Sequence, residues 1–303
     1  MEASRFFEAF GLDGEGLIPL GKHDPFSNRA RRYTRIKYAA MNDTISQISD
    51  FLKHFAPLEL AEDWDNVGLL IGDSRRPVRR VMTCLTVTPE TIVEGIERAV
   101  DLIVSHHPFP FQAIKKITTD TVGGQMLWDL MRHGIAVYSP HTAFDSAGRG
   151  INQSLAKMMG LTNVQPLKEL PSVIENVGAG RMGDFEGIAL NELLTRLKVE
   201  LKLESLAYVG ALEQPCRRVA VACGSGGSLL KTAIAAGCDT FVTGETTFHT
   251  CLEAKAENVA LVLLGHYTSE RFACENLAGE LKKAFPDLEI WASELESDPI
   301  NRL

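Results

Sequence analysis

The fold of this chain is decided by the stretch Asp101-Leu102-Ile103-Val104-Ser105-His106, because a similar stretch, Asp239-Thr240-Phe241-Val242-Thr243-Gly244-Glu245, occurs later. Each stretch begins with an aspartate and continues as an apolar run of strand length. Each aspartate also lies 21 residues after an arginine of a repeated Arg-Arg-Val triplet, Arg80 in one case and Arg218 in the other. A unit that occurs twice with the same internal spacing predicts two similar halves.

Each half has the pattern of strands that alternate with helices. In the first half, Val78 to Val87 is a predicted strand, Pro89 to Val100 a helix and Asp101 to Ser105 the next strand. A further apolar strand follows in each half and ends shortly before a histidine, His141 or His266. This alternation predicts an α/β fold made of two pseudo-repeated α/β halves with crossover helices.

The domain organisation follows from where the periodic patterns begin and end. An amphipathic helical pattern opens at Met41, whereas the first 40 residues show little periodicity. We therefore expect residues 1–40 to be a flexible N-terminal extension and residues 41–303 to be one domain. Its halves are predicted at about 41–165 and 215–303, with a short connector between them.

Composition and charge exclude several classes of protein. The 303 residues are 45% apolar and 23% charged, as in soluble globular proteins, and no apolar run is long enough to cross a bilayer. The N-terminus lacks the pattern of a secretory signal, so a cytoplasmic location is expected. The net charge of −8 argues against a broad basic surface for nucleic acid, and the six cysteines form no CxxC pair.

Histidines and carboxylates follow the predicted strands, at the ends where open α/β sheets bind their ligands. The candidates are the neighbours His106 and His107, the pair His141 and Asp145, and the pair His266 and Glu270. A spacing of four residues places both members of a pair on one helix face. Imidazole and carboxylate together suit zinc, iron, manganese or cobalt. The pattern predicts a centre for two metal ions with ligands from both halves; the alternative is a set of hydrogen-bonded core histidines.

Two further features of the second half bear on the same region. The loop Gly224-Ser225-Gly226-Gly227-Ser228 lies between a predicted strand and helix, where backbone N–H groups can bind phosphate. The alternative is a tight turn in which Ser228 caps the following helix, since no complete nucleotide-binding motif is present. Glu245 and His249 occupy the second-half counterpart of His106 and are predicted to line the same cavity.

From Met41 to Arg302 the chain resembles the Nif-three-like family of dinuclear-metal proteins, whose members are called GTP cyclohydrolase 1 type 2 homologues. Six motifs in the same order carry the resemblance: Trp64-Asp65-Asn66-Val67-Gly68-Leu69, Ser105-His106-His107-Pro108, His141-Thr142-Ala143-Phe144-Asp145, Gly224-Ser225-Gly226-Gly227, Thr243-Gly244-Glu245 with His249, and Gly265-His266-Tyr267-Thr268-Ser269-Glu270. It implies a Nif-three-like fold.

The resemblance also implies two divalent metal ions per subunit. One ion would be held by His107 and Asp145, the other by His106 and His266, and Glu270 would bridge both. The metal could be zinc, iron, manganese or cobalt, since nitrogen and oxygen ligands accept all of them.

The resemblance also bears on His141 and Thr86, which are not among the implied metal ligands. His141 would support the ligands rather than bind metal. Thr86 stands where many relatives carry an aspartate, which puts in doubt any role for a carboxylate at that position.

The resemblance implies two classes of function. One is a metal-dependent hydrolase of a nucleotide, in which hydroxide would attack C8 of GTP and Glu245, His141 or His249 would carry protons. The alternative is a non-catalytic metal-dependent regulator, metal-handling protein or adaptor, because eukaryotic relatives are named for a protein partner. In either case the resemblance implies a toroidal homohexamer whose metal centres face an internal cavity.

Overall fold

The structure, a computed structural model, describes residues 43–171 and 174–301. The predicted flexible extension, residues 1–40, lies outside the described residues. All of the described residues belong to one compact unit that begins at Asp43. None of the helices within it is long and apolar enough to cross a membrane.

Two β-sheets contain all the named strands of this unit. The first sheet consists of β1 (Gly68–Ile71), β2 (Arg80–Cys84), β3 (Leu102–Ser105), β4 (Ala136–Ser139) and β11 (Glu289–Ala292). Its order is β1-β4-β3-β2-β11, and only β1 runs antiparallel to its neighbour. The second sheet consists of β5 (Thr162–Glu169), β6 (Gly178–Ala189), β7 (Ala207–Val209), β8 (Pro215–Ala222), β9 (Thr240–Thr243) and β10 (Ala260–Leu263). Its order is β5-β6-β8-β9-β10-β7, with a parallel centre of β8, β9 and β10.

Nine α-helices connect and cover the strands that the structure describes. They are α1 (Ile45–Phe55), α2 (Pro89–Glu97), α3 (Val122–His133), α4 (His141–Ser146), α5 (Ile151–Met158), α6 (Leu190–Glu200), α7 (Leu230–Ala235), α8 (Phe248–Ala256) and α9 (His266–Ala284). Short 3-10 turns cover Leu58–Leu60 and Gly226–Leu229. The predicted start of α2 is confirmed, because Thr88 forms a capping box with Thr91 and Pro89 occupies the first turn.

The predicted α/β fold with two repeated halves is confirmed at the level of single hydrogen bonds. In the first half, the Asp101 carboxylate accepts hydrogen bonds from the backbone N–H groups of Arg79 and Arg80, at 2.8 and 3.1 Å. In the second half, Asp239 makes the same contacts with the backbone of Arg217–Arg218. The run β2-α2-β3-α3-β4 therefore matches β8-α7-β9-α8-β10. Each run has an antiparallel edge strand beyond its last strand, β1 or β7.

The parallel strands are buried on both faces, which explains their continuous apolar sequences. On β3, Val104 packs in the same core cluster as α1 and α9, whereas Ile103 points the other way and packs with α2 and α3. With both faces covered by helices, the open carboxyl ends of the strands are the places left for polar side chains.

The sheets do not coincide with the predicted halves in two places. Strand β11 belongs to residues 215–303 but pairs in parallel with β2 of the first sheet. Strands β5 and β6, most of which lie in the predicted connector, extend the second sheet beyond β8. In both cases an added strand pairs with an edge of the repeated unit that would otherwise expose unpaired backbone groups.

Candidate metal centre

The predicted ligands lie together because they follow the carboxyl ends of strands in both sheets. His106 and His107 come directly after β3, and Asp145 lies on α4, which starts two residues after β4. His266 and Glu270 lie in the first turns of α9, three and seven residues after β10. The structure thus brings all five residues to one site, and their binding of metal stays a prediction.

The carboxylate of Glu270 occupies the middle of the cluster and is 3% exposed. Its Oε2 atom lies 3.1 Å from Nε2 of His107 and 3.1 Å from Nε2 of His266. These two nitrogen atoms are 3.3 Å apart. Atoms that bind one ion at about 2.0–2.1 Å lie roughly 3 Å from one another, so this triangle has the dimensions of a metal site.

The other oxygen of Glu270 is directed to a second group. Oε1 lies 3.9 Å from Nε2 of His106, and this nitrogen lies 3.7 Å from Oδ1 of Asp145. The contacts therefore associate His107 with His266 and His106 with Asp145, with Glu270 in contact with both pairs. This grouping differs from the partition implied by the resemblance, which assigned His107 to Asp145 and His106 to His266.

The outer ring nitrogens of two of these histidines are bound by residues around the cluster. Nδ1 of His107 lies 2.7 Å from the Thr86 hydroxyl oxygen, and Nδ1 of His266 lies 3.0 Å from Oε1 of Glu245. Such contacts fix the orientation of a ring and direct its free Nε2 atom toward a metal. Thr86 thus holds His107 with a hydroxyl group, a role that was not predicted from the sequence.

His141 is held beside the cluster by Asp65, a contact that was not predicted from the sequence. The Asp65 carboxylate lies 2.7 Å from Nδ1 of His141 and accepts a hydrogen bond from the backbone N–H of Thr142. These contacts stabilise a backbone with φ of 29° at His141, which is unusual for a residue other than glycine. One ring nitrogen from each of His106, His107 and His141 lies within 4.8 Å of the other two.

The two carboxyl groups of the cluster cannot both carry charge at low cost. Burial and the nearby Glu270 carboxylate raise the pKa of Asp145 to about 7. Burial alone would also raise the pKa of Glu270, but its hydrogen bonds with His107 and His266 lower it below its usual range. Two neighbouring buried carboxyl groups of this kind require protons or cations between them.

The donor set fits a divalent cation for a further reason, which concerns His106. Its imidazole is 4% exposed, and neither ring nitrogen has a hydrogen-bond partner among the described residues. A buried polar atom without a partner is costly, so such groups are normally bonded to protein, water or an ion. A metal ion between His106, Asp145 and Glu270 would satisfy Nε2.

Asp145 is itself supported from three directions. The Cys223 thiol donates a hydrogen bond to Oδ1 of Asp145 at 3.2 Å, and the Asn152 amide donates to the Asp145 backbone carbonyl at 3.2 Å. The fully buried Arg181 guanidinium donates to the carbonyl oxygens of Ser146 and Ala147, which follow Asp145 on the chain. Sequence spacing could not indicate these partners, because Cys223 is 78 residues from Asp145.

The glycine-rich loop has a role in this packing. A Cβ atom on Gly224 would lie 2.2 Å from Oε1 of Glu270, so only glycine allows this close approach. The backbone N–H groups of Gly224 and Gly226 already donate to Ser269 and Thr243. The predicted capping by Ser228 is wrong, because neither the 3-10 turn nor α7 has a side-chain cap. Phosphate binding by this loop stays a prediction, with two of its amides occupied.

The cluster opens into a cavity of about 780 Å³, large enough for a small organic ligand. His107, His141, Asp145, His266 and Glu270 all line it. The two further residues predicted to line it, Glu245 and His249, are not among its lining residues. Glu245 contacts His266 from outside the cavity lining, and His249 is exposed on α8 beside Phe248.

The fold and this site define a class of protein: a two-sheet α/β protein with a buried histidine–carboxylate cluster that can hold a metal ion. Within that class the chain belongs to the Duf34/NIF3 (NGG1p interacting factor 3) family, whose model matches residues 43–299. The predicted family and fold are therefore confirmed.

Relatives and solved structures match the chain over nearly their whole length. The GTP cyclohydrolase 1 type 2 homolog of Clostridium acetobutylicum is 33% identical over 264 residues, which cover 86% of this chain and 98% of that protein. The NIF3-like protein 1 of Drosophila melanogaster is 30% identical, over 82% of this chain and 86% of that protein. The crystal structure of Staphylococcus aureus protein SA1388 superposes with a TM-score of 0.78 and 28% identity, over 86% of this chain and 99% of that one. The structure of reduced HcgD from Methanocaldococcus jannaschii superposes with a TM-score of 0.72 and 28% identity, over 84% of this chain and 98% of that one.

Proposed function

We propose that this chain binds two divalent metal ions through His106, His107, Asp145, His266 and Glu270 and uses them to hydrolyse a nucleotide. The observation that carries the proposal is the buried Glu270 carboxylate, which lies among three imidazole rings. One of these, His106, has no hydrogen-bond partner for either nitrogen within residues 43–171 and 174–301. A purely structural core would not leave such a group unpaired.

When bound, a pair of divalent ions supplies Lewis-acid activation of water and stabilises the negative charge that develops during hydrolysis. Zinc, iron, manganese and cobalt all accept this donor set.

The chain's own residues would position the ions and hold protons. Thr86 orients the imidazole ring of His107, and Glu245 orients that of His266, because each contacts the Nδ1 atom of its ring. His141 lines the cavity and hydrogen-bonds through Nδ1 to Asp65, which fixes its orientation and leaves Nε2 available to hold a proton for the substrate. Burial lowers the pKa of His141, but the hydrogen bond with Asp65 and the nearby charge of Asp145 raise it above its usual value overall.

The choice of a nucleotide is supported by the names of relatives. Proteins similar to this chain from Clostridium acetobutylicum and Clostridium perfringens are called GTP cyclohydrolase 1 type 2 homologs. A cavity of this size accommodates a nucleotide. GTP is therefore the first substrate to test.

The test is hydrolysis of GTP by protein loaded with each of the four metals, with release of formate and phosphate measured. We expect turnover with at least one metal, and its loss in His107→Ala together with loss of metal. His54→Ala changes a histidine of α1 outside the cluster and should keep both properties. Turnover that persists in metal-free protein would contradict the proposal.

A second candidate function is a metal-dependent adaptor or regulator without catalysis. It is favoured by the family's own description, which names a factor that interacts with another protein. Metal binding without hydrolysis of any nucleotide in the same assay would support this function over the first.

A further inference from the structure

We infer that the substrate carries a planar heteroaromatic ring and that Trp64 and Phe111 form the surface on which this ring stacks. The inference deepens the proposed function and rests on it in the choice of a nucleotide as the probe. Both side chains line the cavity of the metal centre, yet 62% of Trp64 and 52% of Phe111 is exposed.

The two aromatic side chains form one group with His141. The ring centroids of Trp64 and Phe111 are 6.1 Å apart, and each lies 6.0–6.4 Å from that of His141. Both rings meet His141 edge to face, at 76° and 83°, and their own planes are inclined at 58°. Since none of the three rings is stacked in parallel on another, a planar ligand can reach an aromatic face.

The two residues that follow Trp64, Asp65 and Asn66, hold it in position through hydrogen bonds. Asp65 binds His141 and Thr142, and the Asn66 amide donates a 2.9 Å hydrogen bond to the carbonyl oxygen of Pro110. These contacts tie the Trp64 turn to α4 on one side and to the Phe111 loop on the other. Two large apolar rings are thus held by polar contacts beside the metal centre while they remain open to solvent, an arrangement that suits a ligand surface.

Electrostatics around the cavity favour a ligand with both a ring and an anionic group. Lys168 lines the same cavity and has no carboxylate within ion-pair distance among the described residues. Bound divalent ions would add positive charge at the cluster. An aromatic surface beside cationic groups selects a nucleotide-like molecule over a sugar phosphate.

The test compares guanosine 5′-monophosphate with ribose 5-phosphate, which has the same phosphate and no base. Binding to zinc-loaded and manganese-loaded protein is measured by calorimetry and by tryptophan fluorescence. We expect the nucleotide to bind about tenfold more tightly, which is within the usual effect of one stacked base. Trp64→Ala should remove most of this preference, whereas Trp64→Phe should keep it.

Trp128→Ala is the matched control, because Trp128 is also a half-exposed tryptophan but lies on α3 and does not line the cavity. Asn66→Ala should weaken the ring preference with both Trp64 and metal content unchanged. Equal affinity for the two probes, or a preference that survives in Trp64→Ala, would overturn the inference. If the protein hydrolyses GTP with metal but binds both probes equally, the stacking surface alone is contradicted. If it prefers the nucleotide but hydrolyses nothing, only the proposed hydrolase function is contradicted.

Discussion

At the scale of single residues, the cluster depends on side chains that touch the predicted ligands without binding metal themselves. The hydroxyl group of Thr86, 2.7 Å from Nδ1 of His107, is the simplest case. This contact fixes which ring nitrogen of His107 faces Glu270. Replacing Thr86 by valine removes the hydroxyl oxygen and leaves the volume of the side chain nearly unchanged.

We therefore expect Thr86→Val to weaken metal binding about 10- to 100-fold, the usual effect of losing such a partner. The measurement is competition with a chromogenic chelator, and Thr86→Ser should bind metal as the unchanged protein does. Unchanged affinity in Thr86→Val would show that His107 is oriented by other contacts.

A second prediction concerns Gly224, whose φ is +58° and whose added Cβ would lie 2.2 Å from the Glu270 carboxylate. Gly224→Ala should lose metal and also lose about 1–2 kcal/mol or more of stability, because alanine is strained at positive φ. Gly237→Ala separates the two effects, since Gly237 has φ of +75° and its added Cβ would meet no atom of the described part of the chain within 4 Å, its chain neighbours aside. This control should lose stability and keep its metal, as measured by elemental analysis and denaturant unfolding.

At the scale of elements, local sequence predicted the run β2-α2-β3 of the first half to within a few residues. The predicted helix Pro89 to Val100 ends at Glu97 in the structure, because Ala99 takes a positive φ of 50° and turns the chain toward β3. Strand β11 was not predicted. It has only four residues, and it pairs with a distant strand: Glu289 of β11 lies opposite Arg80 of β2, 209 residues earlier in the chain. No local pattern carries information about a partner so distant.

The same reasoning explains what could be predicted of the site. The five candidate ligands lie within seven residues after the ends of strands β3, β4 and β10, so the predicted strands indicated that their side chains lie at the carboxyl ends of the sheets. Asp65, Thr86 and Cys223 could not be assigned, because each acts on a ligand or neighbour from a different segment of the chain, 76 residues away in the case of Asp65 and His141.

Helix α9 gives a prediction at this scale, since it carries two candidate ligands at its start and a glycine far inside it. Apart from its chain neighbours and the backbone of its own helix, no atom of the described residues lies within 4 Å of a Cβ added at Gly279, so alanine would fit there. Gly279→Ala should raise the free energy of unfolding by about 0.5–1 kcal/mol through better helix propensity. Denaturant unfolding of metal-free protein checks this, and metal content should not change.

Glu94 links two distant elements, helix α2 and the segment that follows β11. Its buried carboxylate accepts hydrogen bonds from Trp291, Ser293 and the backbone N–H groups of Glu294 and Leu295. Burial alone would raise the pKa of Glu94, but the hydrogen bonds from Ser293, Trp291 and these N–H groups lower it overall.

Glu94→Gln should therefore cost about 2 kcal/mol at neutral pH, as expected for losing bonds to a charged group. A carboxyl group with a lowered pKa stabilises the fold above its ordinary range and loses that effect as the pH falls. The difference between Glu94→Gln and the unchanged protein should thus shrink in acid. Denaturant unfolding at several pH values measures it, and a difference that grows in acid would contradict this account.

At the scale of the whole molecule, the candidate ligands come from both sheets, so a bound metal would connect them. Anything that binds only the folded state stabilises it, by about 2.7 kcal/mol at a hundred times the dissociation constant. Addition of a suitable metal should raise the melting temperature of chelator-treated protein. His106→Ala should remove this shift, and a shift of the same size in that variant would place the stabilising ion elsewhere.

The homohexamer remains a prediction at this scale. Six chains of 33.3 kDa would have a mass of about 200 kDa. Light scattering after size-exclusion chromatography distinguishes this mass from that of a single chain.

The pairing of β11 with β2 of the first sheet has a consequence for folding during synthesis on the ribosome. During translation, β2 is synthesised long before the strand that covers its edge, and His266 and Glu270 also emerge late. The first sheet therefore stays incomplete until β11 has left the ribosome. A nascent chain that stops before α9 therefore holds only three of the five candidate ligands, so we expect any metal to be taken up after His266 and Glu270 have emerged.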